Sequence, residues 1–151
     1  MSQAAELRYL VLAAQREGNR LLTARLRPLG LTTAQAEVLS LLNEHKVLTL
    51  SGLGELLVCE SGTNPSRLVD RLVSQGLLER TRSATDGREV LLQLTSTGRR
   101  AAAQAAAIEG ELYAALEALA TGHDVDATLA LLRDFVAGLP SGQAVARRFP
   151  H

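Results

Sequence analysis

Between residues 64 and 94 the spacing of apolar side chains changes from a helical to a strand period, with a glycine at the change, and this constrains the fold more than any other feature. Asn64-Pro-Ser-Arg-Leu-Val-Asp-Arg-Leu-Val-Ser-Gln-Gly76 reads as a short helix. Asn64 is a capping type, and Pro65 suits a first helical position, whose amide has no intrahelical partner. Leu68, Val69 and Leu72 fall on one stripe, which leaves Arg67 and Arg71, one turn apart, on another face. Gly76 supplies a left-handed stop. Beyond it, Leu77-Leu-Glu-Arg-Thr-Arg82 and Arg88-Glu-Val-Leu-Leu-Gln-Leu94 read as two strands around the polar loop Ser83-Ala-Thr-Asp-Gly87.

Helical patterns flank this unit on both sides. Residues 2–27 carry Leu7, Leu10, Val11, Ala14, Leu21, Leu22 and Leu26 at helical spacing. A helix of that length spans roughly 40 Å, more than a small body needs, so part of it is expected to pack on a second chain. Thr32-Thr-Ala-Gln35 is a capping box opening a helix through Val38, Leu39, Leu41 and Leu42. Thr49 or Ser51 caps a short helix with Leu53, Leu56 and Leu57, and Val58 to Thr63 turns into the segment described above. Thr95 caps an alanine-rich helix to about Ala120, and a last helix is expected from about Val125 to Gly138, followed by an irregular tail from Pro140. Aromatic residues are only 3% and Trp is absent, so the core is built from Leu, Ala and Val, which suits closely packed helices. The expected fold is mostly α with a small β-hairpin wing. It is a winged helix-turn-helix at about 31–95 within a single unit of 151 residues, with N- and C-terminal dimerisation helices at about 1–30 and 96–151.

The formal net charge is zero, but its distribution is uneven: from Asn64 to Arg100 seven arginines face four acids. A locally basic segment in a neutral chain is the footprint of a surface that meets phosphate. One cysteine and three scattered histidines give neither an intramolecular disulfide nor a zinc site, so no metal or cofactor is expected. There is no nucleophile elbow, phosphate loop or framed carboxylate pair, which argues against an enzyme. No long apolar run and no signal-peptide plan are found, so the expectation is a cytoplasmic protein without membrane contact.

In this order of elements the chain resembles the MarR (multiple-antibiotic-resistance repressor) family of winged-helix transcription regulators. The resemblance rests on Gly30-Leu-Thr-Thr-Ala-Gln35, Ser66-Arg-Leu-Val-Asp-Arg-Leu72, Gly76-Leu-Leu-Glu-Arg80, Asp86-Gly-Arg88 and Leu94-Thr-Ser-Thr-Gly98. It implies a homodimer on a pseudo-palindromic double-stranded DNA operator, with the second helix of the motif in the major groove and the wing in the flanking minor groove. Arg88 is then the groove-inserting residue, held by a carboxylate contact from Asp86. Arg67 and Arg71 donate to guanine edges or to phosphates, two roles the sequence leaves open. Thr63, Asn64 and Ser66 cap the helix and offer donors to phosphate, and Asp70 orients a neighbouring arginine. Arg80 and Arg82 are expected as backbone contacts along the wing.

Two modes of control follow from the same resemblance. A small aromatic or phenolic effector would sit between the terminal helices and the winged region, where Arg16, Arg20, His45 and Tyr113 are polar candidates. Thiol redox control through Cys59 is the alternative, weakened by the adjacent Glu60 and the lack of a second cysteine. A winged-helix module binding only protein is a further alternative.

Overall fold

The computed structural model describes residues 2–59 and 65–150. Helix α1, Gln3–Leu26, begins where the Ser2 hydroxyl accepts from the Ala5 amide, and ends in a short 3-10 turn, Arg27–Leu29, stopped by the left-handed Gly30. Helix α2, Thr33–His45, opens with the expected capping box: Gln35 N donates to Thr32 Oγ1 at 3.1 Å, and Thr32 N donates to Gln35 Oε1 at 3.0 Å. A three-residue strand β1, Val47–Thr49, runs directly into α3, Leu50–Leu56, whose cap is Thr49. Helix α4, Ser66–Ser74, strands β2, Leu78–Arg82, and β3, Val90–Leu94, and the long α5, Ser96–Ala120, follow. Two more helices, α6, Val125–Val136, and α7, Pro140–Arg148, complete the order.

The core forms around α2. Ala36, Val38, Leu39, Leu41 and Leu42 are buried together with Leu26, Leu53, Val69, Leu72, Leu78, Leu92, Ala102 and Ala105. Helices α1, α3, α4 and α5 and strands β1 and β3 all pack against it. The α4 stop follows the double hydrogen-bond pattern that a left-handed glycine allows: Gly76 N donates to the Val73 carbonyl and Leu77 N to the Leu72 carbonyl, with Gly76 at φ 73°.

The expected hairpin of β2 and β3 is present, and β1 extends it to an antiparallel sheet in the order β1-β3-β2. Val47 pairs with Gln93 and Thr49 with Leu91 on one side of β3, and Leu78 with Leu94 on the other. The segment after Gly138 is not an irregular tail. Pro140 stands at the start of α7, where its missing amide costs nothing, and Gly142 packs so closely on the Val136 carbonyl that a Cβ would lie 2.0 Å from it.

The terminal helices carry far more apolar surface than one chain covers. No residue of α6 is buried, and Leu131 and Phe135 on it are 51% and 66% exposed. Leu10 and Leu12 on α1 and Leu116 and Leu119 on α5 are exposed too. None of the helices described is long and apolar enough to cross a membrane.

Gly98 in the first turn of α5 fixes how that helix leaves the sheet, since a Cβ there would lie 1.9 Å from the Leu77 carbonyl oxygen. That oxygen also accepts from the Thr95 amide at 3.1 Å, so neither partner is free to move aside. Gly98→Ala is expected to destabilise the fold by about 2 kcal/mol or more, read as a lower urea midpoint with unchanged slope.

Candidate nucleic-acid interface

Helix α4 divides sharply between its faces. Val69 and Leu72 are buried and Leu68 and Val73 pack against the core, whereas Arg67, Asp70, Arg71 and Ser74 lie on the exposed side. The C-terminal end is held by Gln75, whose Nε2 donates to the Gly30 carbonyl and whose Oε1 accepts from Gln35 Nε2, both at 3.3 Å. Ser66 is the first residue of α4, with Pro65 in the position before it rather than inside the first turn. Thr63, Asn64 and Glu60 lie outside the described residues.

Asp70 does orient an arginine, but not one of its helix neighbours. Its carboxylate pairs with Arg80 on β2, so an acid on α4 ties that helix to the wing. Arg80 is thereby engaged within the protein. Arg82 is engaged as well: its Nη1 donates to the Gly87 carbonyl at 2.7 Å across the wing loop.

The loop itself is closely hydrogen-bonded. Ser83 N donates to the Glu89 carbonyl at 2.9 Å, and Ser83 Oγ accepts from the amides of Thr85 and Asp86, each at 3.3 Å. Asp86 does not clamp the Arg88 guanidinium as the resemblance implies. Its Oδ1 accepts instead from the Arg88 backbone amide at 3.0 Å, a local turn that a short carboxylate side chain favours. The effect is on the backbone: Arg88 is presented, exposed, at a fixed point of the tip. Arg99 and Arg100 spend donors locally, on the Leu94 carbonyl and Ser96 Oγ, and on Thr97 Oγ1. The outward cations are therefore Arg67 and Arg71 on α4 and Arg88 on the wing.

Away from this face lie the four effector candidates. Arg20 pairs with Glu17 one turn before it, Arg16 and His45 are exposed, and Tyr113 stands on α5 near Glu109, whose charge, after burial, pushes the phenol upward. The groove between α1 and α5 is lined by other residues: Leu21, Leu22, Ile108 and Leu112, with Arg25 and Glu111 paired at its rim, around a volume of about 320 Å³.

Cys59 follows α3 at the start of the turn. Cys59 is an exposed residue, but partial desolvation of its thiol, followed by the charge and hydrogen bond of Glu37, pushes it up to about 12. Glu109 adds to the rise and Arg148 opposes it. Sequence reasoning missed Glu37, which is 6% exposed and accepts from the amides of Val58 and Cys59 and from Arg148. The one signal in the sequence was its place between Ala36 and Val38 in a mostly apolar stretch of helix.

Comparison with known proteins agrees with this geometry. The MarR family model matches residues 31–90. The organic hydroperoxide resistance transcriptional regulator of Bacillus subtilis (strain 168) is 39% identical over 93 residues, 62% of this chain and 63% of that protein. The multiple antibiotic resistance protein MarR of Escherichia coli (strain K12) is 35% identical over 89 residues, 59% of this chain and 61% of that one. The matches thus span just under two thirds of these curated relatives. The crystal structure of a cysteine-to-serine mutant of Escherichia coli MarR complexed with operator DNA superposes with a TM-score of 0.75 at 30% identity, covering 87% of this chain and 94% of that one.

A thiol at about 12 holds roughly a thousandfold less thiolate at pH 8 than one at the ordinary value of 9.0. Alkylation of Cys59 by iodoacetamide at pH 8 is therefore expected to be slower in the native protein than in urea by about tenfold or more, the greater nucleophilicity of a more basic thiolate offsetting part of the lost thiolate. The same raised value stabilises the fold only below the unfolded thiol's range, and that contribution is lost as pH rises toward 12.

Proposed function

This chain belongs to the MarR family, and on that premise we propose that it is a homodimeric, sequence-specific transcription regulator of the repressor type, acting by binding duplex DNA rather than by catalysis. Helix α4 enters the major groove and the wing reaches the flanking minor groove. The observation that carries this reading is the selective pairing of charges. Arg80, Arg82, Arg99 and Arg100 are engaged inside the protein, while Arg67, Arg71 and Arg88 face outward from one short helix and one tightly hydrogen-bonded tip. A helix of nine residues with one buried face and two outward arginines one turn apart suits groove entry. The operator-bound Escherichia coli relative, at 30% identity, supports the same assignment.

Dimerisation follows from the exposed apolar faces of α1, α5 and α6, which a second copy would cover. The two reading helices then address half-sites about one helical turn apart. A small-molecule effector is supported by the groove between α1 and α5, whose volume of about 320 Å³ falls in the range of ligand sites. An aromatic acid entering it would compete with Glu111 for Arg25. Thiol control, which the name of the Bacillus subtilis relative invites, has less support, because the single cysteine sits beside the Glu37 carboxylate, which disfavours its thiolate, and the chain has no second cysteine to pair with it.

Binding to the DNA upstream of the protein's own gene, against a random duplex of equal length, tests the reading. Selective binding that falls by about three to five orders of magnitude between 50 and 200 mM salt is expected of a dimer contacting about six to ten phosphates. Arg88→Ala is expected to weaken operator binding by about 1–2 kcal/mol with unchanged melting, and unchanged affinity would exclude the wing from the interface. Phe135→Asp, placing a charge on the exposed apolar face of α6, is expected to shift the protein toward monomer in sedimentation velocity.

A further inference from the structure

Glu37 is the only charged side chain buried among the described residues, and its two oxygens join parts of the chain that are far apart. Oε1 accepts from the Val58 amide at 2.8 Å and from Arg148 Nη1 at 2.5 Å, and Oε2 accepts from the Cys59 amide at 2.8 Å. Val58 and Cys59 follow α3 and lie between it and α4 in the chain. Arg148 is the last residue of α7. Its neighbour Arg147 donates to the Glu55 carbonyl at 3.3 Å, so the end of α7 grips both the body of α3 and the turn that follows it. At its other end α7 is seated on α6, where Gly142 meets the Val136 carbonyl and Ala144 is buried.

We infer that Arg148 is a positioning residue for DNA binding, which acts through Glu37 to fix the chain that enters α4 and so links the seating of the C-terminal helices to operator affinity. The inference rests on the DNA-binding reading above. Its logic is electrostatic. Two backbone amides and one guanidinium satisfy a buried carboxylate. With the guanidinium removed, Glu37 is left with a charge that two neutral donors offset poorly, and Glu109 of α5, which also faces Arg148 and Glu37, adds repulsion. The carboxylate then gains by turning toward water, and the amides of Val58 and Cys59 lose their acceptor. Because α6 and α7 pack together and α6 is assigned to the dimer contact, any change in how the two copies meet reaches the reading helix by this route. By reciprocity, DNA binding biases the seating of α7.

The test compares wild type, Arg148→Gln and Arg148→Lys. The operator affinity and its salt dependence are measured at a temperature where all three are folded dimers, together with hydrogen exchange at the amides of Val58 and Cys59. Arg148→Gln is expected to lower operator affinity roughly tenfold, with an unchanged salt slope and faster exchange at those two amides, and Arg148→Lys, which keeps the charge, to recover most of both. Unchanged affinity overturns the inference even if exchange quickens, since the contact would then be structural only. A loss of affinity accompanied by a salt slope shallower by about one also overturns it, because Arg148 would then be touching phosphate. A wild type that selects no duplex overturns the DNA reading and the affinity link together, and the exchange data separately report whether the clamp exists.

Discussion

The structure depends on the burial of α2. From Ala34 to Leu39 every residue of this helix is buried, and Leu41 and Leu42 follow, so it must be surrounded rather than capped on one side. Helices α1, α3, α4 and α5 and the sheet are arranged around it for that reason. A helix enclosed in this way cannot leave its polar side chains unpaired, since each unsatisfied buried group costs about 1–3 kcal/mol and a charge more. Gln35 and Glu37 are the two polar side chains of α2 that are buried, and both are fully employed. Gln35 closes the capping box and reaches Gln75 at the end of α4, while Glu37 gathers the turn before α4. The same burial that builds the core therefore also bears on where α4 sits.

Electrostatics refines this placement. Acids within the basic segment do not neutralise its outward face: Asp70 ties α4 to β2 through Arg80, and Asp86 shapes the tip through a backbone amide. A third acid, Glu79, accepts from Gln93 on the neighbouring strand. A net charge of zero is then compatible with a surface that meets a polyanion, because the cations left over are gathered on one side.

What the sequence made legible was local. The caps at Thr32, Thr49 and Thr95 and the stop at Gly76 each involve partners within about five residues, and they stand where the residue types predict. The family assignment likewise rested on short motifs in order. What escaped was decided by distant partners. β1 is three residues long and exists through pairing with β3, more than forty positions away. α7 begins with a proline and contains a glycine, both of which read as breakers, yet the proline opens the helix and the glycine is needed for contact with Val136. Asp70 was assigned to neighbours on its own helix, and its partner lies on the next strand. Glu37 looks in sequence like any helix-surface carboxylate; only the approach of residues 58, 59 and 148 makes it central.

The attachment of Gln75 to Gly30 and Gln35 has a mechanical meaning. It pins the C-terminal end of a helix only nine residues long, so the helix behaves as a lever about 13 Å long with its pivot at that end. A tilt of about 10° about the pivot hardly moves Ser74 but carries Ser66 through roughly 2 Å, more than the tolerance of a hydrogen bond to a base edge. The sense of the lever is set by the end fastened through Gln75, so whatever holds the N-terminal end of α4 decides the angle at which the helix is presented.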